Sequence, residues 1–375
     1  MGQKVKVGVI GCGTVAELFY LDAIAEHSHR IELTALCDVV PGRAEAAASR
    51  WGANSWFEDL DDMLASSEVE AVLVLTKHSQ HYEHSKKVLE SGRHLGIEKP
   101  IAHTFELAKE IVELADARGL KLSAAPAMMF EPVAQRANEL LSGGAIGTVY
   151  YVRTQMVASP ADRETEWRRQ GPKLGRISSP PTDQTWMYQA GEGGPLADLT
   201  AYQLIPILRH MGPVKRVAGL SGVAIRDRVA MSGPTSGQRF KTTAPDNNAI
   251  LLDWGSSRFG VCYSGYLPQI SRGPSLEFYG DEGVLIVNGG TGEDSIEIYR
   301  ERPESGDGGW VPAGRANSGW DIVPRAGAIT HLVDCILDAT EVQMSGRQAL
   351  HILEVTELAR ESSESGQYLK TTTVF

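Results

Sequence analysis

Two rhythms of apolar and polar positions divide the chain. Over the first 125 residues, short apolar runs alternate with helical periodicity. Lys4–Ile10, Glu32–Cys37, Ala71–Leu75, His94–Ile97 and Leu120–Ala124 read as strands. Thr14–Glu26, Pro41–Trp51, Asp59–Leu64 and His81–Glu90 read as helices between them. Thr104 has the place and chemistry of an N-cap, with Leu107, Ala108, Ile111, Leu114 and Ala115 on one helical face and Gly119 as the stop. Apolar strands alternating with helices predict a parallel, doubly wound sheet covered on both faces.

Beyond residue 125 the rhythm changes. A helix over Val133–Leu141 is followed by β-rich segments at Thr148–Met156, Val214–Ala224, Ala249–Trp254, Gly260–Gly265, Leu276–Tyr279, Val284–Asn288 and Ile296–Arg300. Turn signals such as Gly255-Ser256-Ser257 and Asp281-Glu282-Gly283 suit an antiparallel sheet. Helices over Ala326–Leu337 and Arg347–Ser362 follow, and the polar, Gly/Pro-rich stretches Pro160–Asp183, Arg226–Pro245 and Glu301–Pro324 are expected to be loops. The predicted fold class is α/β: a doubly wound, Rossmann-type parallel-sheet domain over 1–125 and an α+β domain over 126–375. The strands of the second domain, alternating or apolar on one side, are expected to leave its mostly antiparallel sheet one open face.

The chain's 375 residues exceed what one core usually organises, which agrees with two domains. A net charge of −11, with no run of Lys or Arg, argues against a nucleic-acid partner, whose phosphates need neutralising. No apolar run reaches the roughly 20 residues that span a bilayer, and the N-terminus leads straight into a strand instead of a signal peptide. Cys12, Cys37, Cys262 and Cys335 are far apart without metal spacing, so they read as packed thiols in a reducing compartment, with no metal site. The expected location is the cytoplasm.

Gly11-Cys12-Gly13-Thr14-Val15-Ala16 reads G-x-G-x-x-A between a strand and a helix. Gly11 permits the tight turn, Gly13 lets backbone approach a pyrophosphate, Ala16 lets helix and strand pack closely, and the helix start at Thr14 and Val15 offers free N–H groups. Asp38, 25 residues beyond Gly13 at the end of the second strand, suits a ribose 2′-hydroxyl and repels a 2′-phosphate. NAD is therefore favoured over NADP; Arg43 is the residue that could swing to a 2′-phosphate. Glu98-Lys99-Pro100 follows another strand, at the carboxyl edge where such sheets bind ligands; proline keeps Lys99 out of helical conformation and the bond could be cis. Thr76-Lys77-His78-Ser79-Gln80-His81 forms a polar segment at the same edge.

Together with Gly143–Gly147, Gly193-Gly194-Pro195-Leu196-Ala197-Asp198, Tyr279–Gly283 and Ser362–Gly366, these segments resemble the Gfo/Idh/MocA family of sugar and polyol oxidoreductases over nearly the whole chain. The resemblance implies a dinucleotide-binding Rossmann domain over 1–125, its dinucleotide contacted by Gly11, Gly13, Thr14, Val15, Asp38, Arg43, Thr76, His78, His81, Glu98 and Lys99, with Lys99 beside nicotinamide and substrate. It implies that the second domain binds substrate and buries its open sheet face in a homodimer or homotetramer. The family's Asp-x-x-x-His motif reads Asp198-Leu199-Thr200-Ala201-Tyr202 here, matching its Tyr branch. Pro195 and Gly212 bracket a helix that sets Asp198 and Tyr202 on one face. Tyr202 is the candidate acid/base, Lys99 the cation favouring its phenolate, and Asp198 the group that orients substrate hydroxyls or polarises Tyr202. Trp186 and Tyr188 are candidates for stacking on a pyranose.

The chain departs from the family at Lys77 and His78, where Thr76-Lys77-His78 replaces its usual Thr-Pro-Asn, and at Ile205, which replaces a common acid. Arg163, Arg168, Arg169, Lys173 and Arg176 gather in one loop, most simply a solvated one. The expected activity is hydride transfer between NAD and a hydroxyl or keto group of a sugar, sugar derivative or cyclic polyol. Its rivals are an NAD-dependent glycoside-processing enzyme working by transient oxidation and elimination, and a non-catalytic ligand sensor.

Overall fold

A computed structural model describes residues 2–126, 128–158, 183–231, 233–267, 273–288, 295–300, 308–315 and 326–375. The arginine-rich loop, and nearly all of the expected loop over Pro160–Asp183, lie outside the described residues. The first sheet contains β1 (Val5–Ile10), β2 (Ile31–Cys37), β3 (Ser55–Phe57), β4 (Ala71–Val74), β5 (His94–Ile97) and β6 (Leu122–Ala124). It is parallel throughout, in the order β3-β2-β1-β4-β5-β6. Val7, Val9, Leu36, Val72 and Leu73 are each essentially inaccessible, as expected of strands covered on both faces. Edge strand β3 escapes sequence reading because Ser55-Trp56-Phe57 is short and only partly buried.

Thr104 does cap the helix Phe105–Ala117, its side chain accepting from the Leu107 N–H at 3.4 Å. The helix after the glycine turn begins with a π-wound segment, Ala16–Tyr20, that runs into Leu21–Glu26.

The second sheet has nine strands, with neighbours in the order Gly309–Arg315, Ser295–Arg300, Val284–Asn288, Leu276–Gly280, Val149–Val157, Arg258–Gly265, Asn247–Gly255, Arg216–Gly222 and Leu369–Lys370. Only the pairing of Val149–Val157 with Arg258–Gly265 is parallel. Its inner face buries Val152, Ile250, Leu252, Cys262 and Phe278 against the helices Pro132–Ser142 and Thr200–Met211. On the outer face Tyr151 packs against both Phe259 and Tyr279, and Leu220, Leu251 and Phe259 are 73%, 52% and 53% exposed.

Two expected loops contain strands. Gly309–Arg315 lies within Glu301–Pro324, where glycine and proline mask it; it is an edge strand, and there Pro312 can do without a ladder N–H. Arg226–Pro245 contains a small hairpin, Asp227–Val229 paired with Arg239–Lys241, with Arg228 buried at its centre. Flanking glycines and serines had read as turn signal there.

The helices Gly327–Leu337 and Gly346–Ser365 return to the first sheet. Ala328, Ile329, Leu332 and Val333 join the core on the side of the helix Leu21–Glu26, and Ala349, Leu350 and Leu353 join the core on the opposite side. A capping box between Ser345 and Gln348 opens the longer helix.

Candidate active site

The strand order reverses between β1 and β4, so a crevice opens at their carboxyl ends. Gly11 sits in it with φ of +93°, and a Cβ there would lie 2.7 Å from the carbonyl carbon and oxygen of Leu75. Only glycine fits that approach. Beside it Asp38 Oδ2 accepts from the Cys12 N–H at 2.9 Å and Oδ1 from the Val40 N–H at 2.9 Å, while Arg43 Nη1 stands 3.4 Å from Oδ1. Val15, Val39 and Val40 are exposed large apolar side chains along the same rim. Thr14 is buried, and the Gly13 carbonyl accepts from the Glu17 N–H at 3.2 Å. A glycine cradle, a carboxylate at the end of β2 and an open apolar rim fit a dinucleotide.

On the other side of the crevice, Lys99 follows β5 with a cis bond to Pro100. Glu98 fixes the backbone here: one carboxylate oxygen accepts from Tyr20 Oη at 2.5 Å and the other from the Lys99 N–H at 2.9 Å. Lys99 Nζ donates to Asp198 Oδ1 and lies 5.3 Å from the centre of the Tyr202 ring. Burial alone would lower the Lys99 pKa, yet Asp198, then Tyr202 and Glu98, raise it. Burial opposes ionisation of Asp198 too, but Lys99 and the Tyr266 hydroxyl hold its carboxyl below the ordinary range. The pair is thus a buried ammonium and carboxylate, linking the carboxyl edge of the first sheet to the helical segment covering the second.

That segment is not the single helix expected between Pro195 and Gly212. It is a turn, Pro195–Asp198, and a helix, Thr200–Met211, joined at Leu199. At the junction the Tyr202 N–H bonds the Leu199 carbonyl at 3.1 Å, a tighter i−3 bond. Pro206 lies one turn further on and can offer no N–H to the Tyr202 carbonyl. The two side chains still converge on Lys99.

The family model described as "Oxidoreductase family, NAD-binding Rossmann fold" matches residues 5–125, and the GFO/IDH/MocA C-terminal domain matches residues 134–286. The chain belongs to the Gfo/Idh/MocA oxidoreductase family. D-glucoside 3-dehydrogenase of Escherichia coli is 32% identical over 148 residues, 40% of this chain and 42% of that one. The NADP-linked scyllo-inositol 2-dehydrogenase of Bacillus subtilis is 20% identical over 379 residues, covering 96% of this chain and 94% of its own. Levoglucosan dehydrogenase in complex with NADH and L-sorbose shares the fold at a TM-score of 0.81, with 15% identity and full coverage of both chains.

Against this Gfo/Idh/MocA frame the remaining predicted residues fall into two groups. His78 and Trp186 come together edge to face, ring centres 5.0 Å apart, although they lie far apart in sequence. His78 Nδ1 bonds the Glu192 carbonyl at 2.7 Å, and burial, with His81 and Lys99 nearby, pushes its pKa down to about 3, so the ring is neutral. Thr76, His81 and Glu98 each bond within the scaffold around the crevice. The nitrogens of His81 face the Pro100 and Thr76 carbonyls at 2.7 and 3.0 Å, and Thr76 Oγ1 bonds His84 Nδ1 at 3.0 Å. Tyr188 is fully buried, so it belongs to the packing under the site and presents no face to a sugar. Sequence reading missed Tyr20 and Tyr266, whose partners lie 78 and 68 residues away with no local motif to announce them. Among the described residues no helix is long and apolar enough to cross a membrane.

Proposed function

We propose that this oxidoreductase interconverts a hydroxyl and a keto group on a sugar, sugar derivative or cyclic polyol, with Lys99, Asp198 and Tyr202 at the reacting centre. The observation that carries the reading is the meeting of Lys99 with Asp198 and Tyr202 at the crevice. Relatives named for activity on a D-glucoside, scyllo-inositol and D-xylose support the substrate class.

A bound nicotinamide supplies the two-electron acceptor or donor. The chain's own residues handle the proton and the geometry. In the oxidising direction the hydroxyl O–H breaks and its proton passes to Tyr202, in the Tyr branch of the family; the proton returns in reduction. The Lys99 ammonium near the ring favours phenolate, which a phenol with ordinary pKa near 10 otherwise lacks at neutral pH. Asp198 has an oxygen on Lys99 and an oxygen on Tyr266, so its task is to hold the ammonium. The His78–Trp186 pair forms a wall on which the apolar face of a ring can rest.

Asp38 favours NAD, because a 2′-phosphate would meet its carboxylate. The exposed aromatic and aliphatic outer face of the second sheet suits burial in a homodimer or homotetramer. We place the enzyme in the cytoplasm on the buried, free state of its cysteines. A screen of cyclic polyols and sugars with NAD+ and NADP+, following nicotinamide reduction, tests the reading. Substrate-dependent reduction by the wild type, lowered by about 100-fold or more in Lys99→Ala, is expected. Nucleotide binding with no reduction anywhere in the panel would overturn it.

A further inference from the structure

Behind Asp198 lies a buried polar stack outside every motif described above. Tyr266, just after the strand Arg258–Gly265, is fully buried and donates its hydroxyl proton to Asp198 Oδ2 at 2.7 Å. Its ring packs on Tyr188 with centres 5.0 Å apart, and the Arg228 guanidinium lies 4.8 Å from the centre of the Tyr188 ring. Arg228 Nη2 donates to the Tyr266 carbonyl at 2.9 Å and to Asp246 Oδ2 at 2.6 Å, and its Nε donates to Thr242 Oγ1 at 2.9 Å. Asp246 also accepts from the Ala224 and Ile225 N–H groups, and its carbonyl accepts from the Tyr266 N–H at 2.8 Å. The Arg228 and Asp246 side chains are 1% and 0% exposed.

An ion pair so buried adds little net stability, since desolvating both charges offsets most of their attraction. Fully satisfied buried networks do, however, hold one geometry. This network pins Tyr266 at its N–H, its carbonyl and its ring, leaving the hydroxyl one place to be. Asp198 therefore has Lys99 on one oxygen and Tyr266 on the other, and the plane of its carboxylate is set.

We propose that Tyr266, braced by Arg228 and Asp246, is a positioning residue that fixes the Asp198 carboxylate and, through it, the Lys99 ammonium. The inference deepens the role given to Lys99 above. It also assigns work to the hairpin Asp227–Val229/Arg239–Lys241, which carries Arg228 but supplies none of the proposed catalytic groups. Burial and the adjacent Asp198 push the Tyr266 phenol well up, so it acts as a donor and never as the base.

The test reads Lys99 directly and needs no turnover. The full-length chain is treated with acetic anhydride across a pH series, and acetylation of Lys99 is followed by peptide mass spectrometry. A carboxylate that lost the donor but kept its place would be the stronger counter-ion and would move the Lys99 profile to higher pH; one released to turn away from the ammonium moves it to lower pH, which is the shift expected of Tyr266→Phe. Labelling near pH 8 should then be roughly ten-fold faster, the worth of one hydrogen bond to a charged group. Asp198→Asn should move the profile further, and the double variant should match Asp198→Asn alone. A Tyr266→Phe profile superimposed on wild type or moved to higher pH would overturn the proposal, and so would full additivity in the double variant. Absence of dehydrogenase activity with these labelling shifts intact would instead strike only the proposed function.

Discussion

Asp38 is the residue on which the proposed preference for NAD rests. Both of its oxygens are engaged by backbone N–H groups, which hold the carboxylate at the end of β2. Arg43 makes a long ion pair with it at 3.4 Å. Removing the acid frees Arg43 and removes the repulsion, so Asp38→Ser should raise the NADP+ to NAD+ ratio of kcat/KM by about ten-fold or more. An unchanged ratio in steady-state kinetics would show that Asp38 does not discriminate. At this scale the sequence was legible wherever a residue type is tied to a local motif: Gly11, Asp38 and Lys99 needed no tertiary information. Tyr266 and Arg228 were not legible. Their meaning comes from contacts across the second sheet, and a tyrosine after a strand or an arginine in a turn-rich stretch has no spacing that distinguishes it.

At the scale of elements, the clearest local device is the latch between the helix Gly346–Ser365 and the segment after Leu369–Lys370. Glu354 accepts from the N–H and hydroxyl groups of Thr372 and Thr373, and His351 Nδ1 meets Thr373 Oγ1 at 2.7 Å. His351 Nε2 accepts from the Val214 N–H at 2.9 Å, so the ring must be neutral on that side. Burial pushes its pKa from 6.5 down to about 4, Glu354 opposing. The unfolded chain therefore takes up this proton first. Stability contributed by neutral His351 is complete above pH 6.5 and is lost as pH falls from 6.5 towards 4, by about 3 kcal/mol in all. Urea unfolding against pH should show that slope in the wild type and a shallower one in His351→Gln; equal slopes would contradict the assignment. Element boundaries were legible where periodicity is strong, as in Phe105–Ala117, and failed at Gly309–Arg315 and the Arg228 hairpin, where pairing partners outweigh local composition.

At the scale of the whole molecule, the outer face of the second sheet offers Leu220, Leu251 and Phe259 as neighbours on adjacent strands. Charge there should oppose self-association, so Leu251→Glu with Phe259→Glu should lower the mass seen in sedimentation equilibrium to that of a single chain. A wild type already at that mass would remove this face from the assembly. The α/β pattern and the open sheet could be read from alternation of apolar residues. The return of Gly327–Leu337 and Gly346–Ser365 to the first sheet could not, because an amphipathic helix does not name the surface it covers. That return has a consequence in time. The last strand of the nucleotide sheet ends at Ala124, and the first of the two returning helices begins at Gly327, roughly 200 residues later. At about 5–20 residues per second of synthesis, the nascent sheet waits some ten to forty seconds with Val7, Leu73 and Leu95 short of cover. Each ribosome therefore carries a partly covered sheet throughout the synthesis of those residues. Slow elongation, crowded polysomes or scarce chaperones should limit the yield of this protein before any property of its finished active site does.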